Sequence, residues 1–90
     1  MSESKTTIMY GAMWCGDTRR ARKWLDDKNV AYEWVDVDKS PEGEQIVKTI
    51  NSGNRSIPTI VFADGSHLTE PSNLKLEEHA RRLGIVSTGA

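Results

Sequence analysis

The chain has a single cysteine, Cys15, among its 90 residues, so no disulfide can form within it and a disulfide-stapled secreted scaffold is excluded. It has no apolar run near the roughly 18 residues a transmembrane helix needs. Its first residues, Met1-Ser2-Glu3-Ser4-Lys5, lack the apolar stretch of a signal peptide. Neither sign of charge dominates: 12 Lys+Arg against 13 Asp+Glu leave a net charge of −1. An isoelectric point near 6.1 argues against a dedicated nucleic-acid binder. There is no repeat, linker or low-complexity stretch. The expectation from these absences is one cytoplasmic domain over residues 1–90, with its core over about 6–84, contacting neither nucleic acid nor membrane. What is present is ordinary globular composition, 37% hydrophobic and 28% charged, with three Trp and two Tyr supplying large rings for a small core.

Along the chain, Thr6-Thr7-Ile8-Met9-Tyr10 is rich in β-formers and ends at Gly11, as a first strand does. From Asp17 to Lys28 the pattern is helical, with Trp14, Thr18, Ala21 and Leu25 recurring at i, i+4, i+7 and i+11, and Asn29 offers a stop. Val30 to Asp38 reads as a second strand. Ser40 as N-cap, Pro41 at the first helical position and Glu42 in the first turn open a helix. Ile46, Val47 and Ile50 fit its inner face, and Asn51-Ser52-Gly53-Asn54 ends it. Thr59 to Ala63 is a third strand, Asp64-Gly65 a two-residue hairpin turn and Ser66 to Thr69 the returning strand. Pro71-Ser72-Asn73 begins a last helix, with Leu76, Ala80 and Leu83 on one face before Gly84. The order β-α-β-α-β-β-α implies an α/β fold. A parallel crossover pair and an antiparallel hairpin share one four-stranded mixed sheet, flanked by three helices.

Two readings of Cys15 compete. Free cysteine is among the most buried residue types, and a structural thiol needs no further chemistry. Against that stands its position after the first strand and at the start of a helix, in Ala12-Met13-Trp14-Cys15-Gly16-Asp17-Thr18. Unpaired N–H groups and the helix dipole there stabilise an anion, and the thiolate is the nucleophilic form. Arg19, Arg20, Arg22 and Lys23 share a helical face with Cys15, and their field favours a thiolate that Asp17 opposes. The same basic run also reads as a solvated face or a docking surface, with phosphate binding a minor third option.

Trp14-Cys15-Gly16-Asp17-Thr18 after a strand, followed later by Ser56-Ile57-Pro58-Thr59, resembles the glutaredoxins of the thioredoxin fold. Asn54-Arg55-Ser56-Ile57-Pro58-Thr59-Ile60, Phe62-Ala63-Asp64-Gly65-Ser66 and Leu68-Thr69-Glu70-Pro71-Ser72 resemble the actinobacterial mycoredoxin-like members in particular. The likeness runs from about Thr7 to Leu83. It implies a thioredoxin-like fold, a nucleophilic Cys15 and a cis Ile57-Pro58 bond that turns the backbone of Ile57 toward it. That N–H and C=O would then pair, strand-like, with the cysteinyl part of a bound thiol. From sequence alone a trans proline at a strand start is the plainer reading.

Where dithiol members carry a second cysteine, this chain has Thr18, which excludes the dithiol cycle. The resemblance then implies a monothiol cycle: Cys15 attacks a mixed disulfide between a protein and a small thiol, retains the small thiol, and is regenerated by a second one. Thr18 either donates a hydrogen bond to the thiolate or supports the first helical turn. Arg55 matches a cation of the family's glutathione site, the Ser72-Asn73 amides match the seat of the γ-glutamyl carboxylate, and Trp14 falls at the rim. Many glutathione-dependent members carry a lysine where Ala12 stands. Mycothiol has no carboxylate and misses that lysine less, so it is favoured over glutathione as co-substrate. The implied partners are thiolated proteins, the small thiol and its reductase, served by a monomer with no tightly bound cofactor.

The missing cysteine admits two rivals. Monothiol glutaredoxins with a Cys-Gly-Phe-Ser site bridge a [2Fe–2S] cluster between two subunits, but Asp17 places an anion where they have an aromatic. A non-catalytic redox or binding module that kept the fold is the other. Trp24 and Trp34 read as core or half-buried rather than functional. His67 and His79 lack metal-ligand spacing and a serine in a nucleophile setting, so no metal site or chemistry is expected of them.

Overall fold

The computed structural model describes residues 6–86 of the chain. In order it contains β1 (Thr7–Gly11), α1 (Gly16–Asp27), β2 (Tyr32–Asp36), α2 (Pro41–Ile50), β3 (Thr59–Val61), β4 (His67–Thr69) and α3 (Asn73–Arg82). The strands form one sheet in the order β2-β1-β3-β4. β1 runs parallel to β2 and antiparallel to β3, and β3 pairs antiparallel with β4. The expected α/β architecture is present, with strand ends shorter than the sequence indicates at β2, β3 and β4.

β1 lies between two neighbours and is covered on both faces, so its residues are apolar or small almost throughout. The two-residue pleat sends Met9 and Tyr10 to opposite sides. Met9 joins Ala21, Trp24 and Leu25 of α1, Ile60 of β3, and Leu76 and Ala80 of α3 in one core. Tyr10 joins Ala12, Val37, Val47 of α2 and Ile57 in the other. Trp24 is core, as its helical spacing suggests, while Trp34 packs half-buried against its edge.

Local chemistry fixes the helix starts. Ser40 Oγ accepts from the Gly43 amide at 3.0 Å, and Ser72 Oγ accepts from the Lys75 amide at 3.1 Å. Ser72 is thus the cap of α3 rather than part of it. In α2 the buried face is Gly43 and Val47, and Ile46 is 41% exposed instead of lying inward. The reason is close approach: a Cβ at Gly43 would sit 2.6 Å from Val35 Cγ1, so the bare glycine lets the α2 backbone onto β2 and turns Ile46 outward. The hairpin also differs from the expected two-residue turn. The loop spans 63–65, closed by the Phe62 amide on the Ser66 carbonyl (2.8 Å), with Gly65 at φ 92°.

A part-buried polar knot fixes the segment between α2 and β3. Asn51 Nδ2 donates to the Val47 carbonyl (2.9 Å) and to Thr59 Oγ1 (3.1 Å), while Asn51 Oδ1 accepts from the Thr69 hydroxyl (2.7 Å). Thr59 Oγ1 donates in turn to the Ser56 carbonyl at 2.7 Å. One side chain therefore ties the end of α2 to the start of β3 and the end of β4. Between α2 and β3 the Ile57-Pro58 peptide bond is cis.

Candidate active site

Cys15 is the N-cap of α1, with extended backbone (φ −86°, ψ 122°). Its amide closes a turn on the Ala12 carbonyl (3.0 Å), and its carbonyl accepts the Arg19 amide (3.1 Å). It is half-buried and packs on the core cluster that contains Ile57, so the thiol and the cis-proline loop share one side of the sheet. The Pro58 carbonyl accepts the Glu70 amide at 2.7 Å, which anchors that loop to the end of β4. Among the described residues nothing bonds the amide or the carbonyl of Ile57. That leaves a short stretch of unpaired backbone in the cluster against which Cys15 packs.

Thr18 is fully buried. Its Oγ1 accepts the Ala12 amide at 3.4 Å, and among the described residues no hydrogen bond joins it to Cys15. Of its two proposed roles, this geometry supports the second: the hydroxyl ties the first turn of α1 to the end of β1. Gly11 completes the joint, because a Cβ there would lie 2.7 Å from both Thr18 Cγ2 and Oγ1.

Trp14, next to Cys15 in the chain, is 66% exposed. Its indole N–H donates to Asp38 Oδ2 at 2.7 Å. The other oxygen of Asp38 takes the Arg55 guanidinium, whose Nε donates to Glu44 Oε2 at 2.9 Å. A chain Trp14–Asp38–Arg55–Glu44 thus runs from the cysteine loop to the loop before Pro58. The Trp14 indole first, and the Arg55 guanidinium second, hold the Asp38 carboxyl below the usual carboxylate range. Asp38 in turn makes Arg55 still more reluctant to lose its proton.

Neither Asp38 nor Glu44 stands out in the sequence. Asp38 reads there as the end of a strand, and Glu44 falls within the second helix without a role. The available signal was topological, since Asp38 follows the carboxyl end of a parallel strand, where ligands of open α/β sheets gather.

At the third helix, Ser72 caps the first turn as described, and Asn73 Oδ1 accepts from Arg20 at 2.8 Å. Arg20 also donates to the Pro71 carbonyl at 2.9 Å. The other cations of α1 each take partners of their own. Arg19 bonds the Met13 carbonyl (2.7 Å), Arg22 stacks 4.2 Å over Trp34 and donates to Tyr32, and Lys23 pairs with Asp27. A shallow groove of about 390 Å³ runs over Met13, Arg19, Arg22 and Lys23, but Cys15, Arg55 and Pro58 do not line it.

His79 does meet a serine, its Nε2 lying 2.7 Å from Ser66 Oγ, but not in a nucleophile setting. The Ser66 hydroxyl donates to Asp64 Oδ1 at 2.6 Å, so its one proton points away from the imidazole. The order of a nucleophilic triad is inverted, and the contact pins the β3–β4 loop to α3.

A half-buried cysteine capping a helix beside a cis-proline loop on a four-stranded mixed sheet calls for comparison with known proteins. The family model described as glutaredoxin matches residues 7–68. The chain belongs to the glutaredoxin family. It is 41% identical over 68 residues to mycoredoxin 1 of Corynebacterium glutamicum, covering 76% of this chain and 82% of that protein. Its fold matches the crystal structure of a glutaredoxin from Archaeoglobus fulgidus with a TM-score of 0.70 at 27% identity, over 86% and 87% of the two chains. A buckwheat glutaredoxin–glutathione complex shares the fold at TM-score 0.65 and 19% identity, over 93% and 84%. This glutaredoxin is accordingly a thiol–disulfide oxidoreductase that acts on thiolated proteins with a low-molecular-weight thiol. No helix among its described residues is long and apolar enough to cross a membrane.

Proposed function

We propose that this glutaredoxin works by a monothiol cycle through Cys15, with mycothiol favoured over glutathione as co-substrate, as a cytoplasmic monomer. The observation that carries the reading is Cys15 at the N-cap of α1, packed with Ile57 of the cis-proline loop, in a chain with no second cysteine. Cys15 thiolate attacks the small-thiol sulfur of a mixed disulfide. The new S–S bond joins Cys15 to the small thiol, and the protein leaves as a thiolate that takes a proton from water. A second small thiolate then attacks the bound small thiol, freeing Cys15 and forming the small-molecule disulfide that a reductase recycles.

The free backbone edge of Ile57 supports the first step by aligning the cysteinyl unit. Ser72 and Asn73 at the start of α3, with Trp14 and Arg55 at the rim, contact the remainder of the thiol. Ala12 is fully buried, so no cation extends from the position where many glutathione users carry lysine. That favours a thiol without carboxylates, and the name of the 41% identical relative agrees.

The test is turnover of a protein mixed disulfide with mycothiol and with glutathione, each with its recycling system, alongside Cys15→Ser. Activity with mycothiol that exceeds activity with glutathione, and is lost in Cys15→Ser, is the expected result. Undiminished turnover in Cys15→Ser overturns the mechanism, and faster turnover with glutathione overturns the preference.

A further inference from the structure

We infer that Asp38 and Glu44 set the co-thiol selectivity of this site by neutralising Arg55, so that the rim rejects a thiol carrying a carboxylate. The inference rests on the monothiol reading above and adds the residues that choose the small thiol. Arg55 is the cation three residues before the cis-proline, yet it is not a free charge. Asp38 holds Nη2 and Glu44 holds Nε, two carboxylates against one guanidinium whose side chain is 31% exposed. Lys48 lies 3.6 Å from the same Glu44 oxygen, and Asp36 Oδ1 accepts the Asp38 amide at 2.9 Å. With Lys39 next to Asp38 in the chain, three cations stand against three carboxylates, so this edge offers no net positive charge.

An incoming carboxylate has to break the Arg55 pairs or meet the field of Asp38. A hydroxyl-rich, uncharged thiol meets neither penalty. It can use the guanidinium hydrogens that the two carboxylates leave free, and the exposed Trp14 face that Asp38 holds in place through the indole N–H. Asp38 is thus a positioning residue for Trp14 as well as a counter-charge, whereas Glu44 bonds Arg55 and Lys48 without touching Trp14.

The experiment follows stoichiometric exchange of Cys15 with three mixed disulfides of one reporter peptide, made with 3-mercaptopropionate, 2-mercaptoethanol and cysteamine. These carry one negative, no and one positive charge on otherwise small thiols. Wild type is expected to react more slowly with the anionic disulfide than with the neutral one. Glu44→Gln and Asp38→Asn each raise the anionic-to-neutral rate ratio by about 1.4-fold to 5-fold, the span of one exposed ion pair. The cationic-to-neutral ratio falls, and both effects shrink as added salt screens the charges.

A structural defect slows all three disulfides together and leaves the ratios fixed. Ratios that stay at their wild-type values in both variants, while exchange continues, overturn the inference and leave the monothiol reading standing. Exchange absent in wild type overturns both.

Discussion

The joint between β1 and α1 is where packing sets the position of the nucleophile, and a double-mutant cycle tests it. In Gly11→Ala the new Cβ meets Thr18 Cγ2 and Oγ1 at 2.7 Å, well inside ordinary contact, and Thr18 is fully buried with no room to retreat. Overpacking of this kind costs about 1–3 kcal/mol, offset by about 0.4–1 kcal/mol from the stiffer unfolded chain. A net loss of about 1–2 kcal/mol corresponds to roughly 4–16 °C in Tm for a domain of this size. Thr18→Ala alone removes the acceptor of the Ala12 amide and a buried methyl. Ala12 is fully buried, so the orphaned amide and lost packing cost about 2–3 kcal/mol. In the double variant the methyl added at position 11 occupies the space that the Thr18 side chain vacates. The clash is gone, while the unpaired amide remains. The two losses should therefore fall short of additivity by about 1–2 kcal/mol, read from urea unfolding of the four proteins. Additivity within about 0.5 kcal/mol would refute the claim that these two side chains compete for one volume.

Three further outcomes follow from the geometry. Asp38 is held below the ordinary carboxylate range, so its bonds to Trp14 and Arg55 contribute fully above about pH 4 and are lost as pH falls through the lower folded value. Trp14 fluorescence, isolated against Trp14→Phe, should therefore change with a midpoint below about pH 3.9, and a midpoint above that contradicts the bonding. Asn51→Ala strips partners from Thr59 and Thr69 and should cost about 2–4 kcal/mol; a loss under about 0.5 kcal/mol in urea melts would show the knot to be idle. Anaerobic treatment with iron, sulfide and a small thiol should leave the protein colourless, because Asp17 places a half-exposed anion two residues from Cys15. A stable charge-transfer spectrum would contradict that.

The elements legible in the sequence are those whose signals are local. Ser40-Pro41 and Ser72 announce helix starts through caps that reach only three residues along the chain. The β-rich Thr7–Gly11 segment declares a strand covered on both faces. Local patterns fail where a distant residue decides. Ile46 looks like core by spacing, but Gly43 against Val35 rotates the helix away from that choice. Trp14 fits the period of α1, yet lies before the helix and points its indole at Asp38. Ser66 and His79 carry no mutual signal in sequence, being brought together by the hairpin and α3.

The candidate site divides the same way. Cys15 is visible because a cysteine at a helix start has a chemical meaning of its own, and Pro58 because of the motif around it. The residues that shape the rim are not visible, because their roles exist only as pairs: Arg55 is a cation in sequence and a neutralised one in the fold. Counting cations near the nucleophile therefore predicts affinity for an acidic thiol only if those cations lack carboxylate partners. Here Arg55 is paired with Asp38 and Glu44 and Arg20 with Asp17, whereas Arg19 and Arg22 bond only carbonyl, hydroxyl, thioether and aromatic groups and keep their charge. At the cis-proline end the charge that an acidic ligand would seek is thus already engaged, so selectivity there is governed by the carboxylates that pair with Arg55 rather than by the number of basic residues nearby.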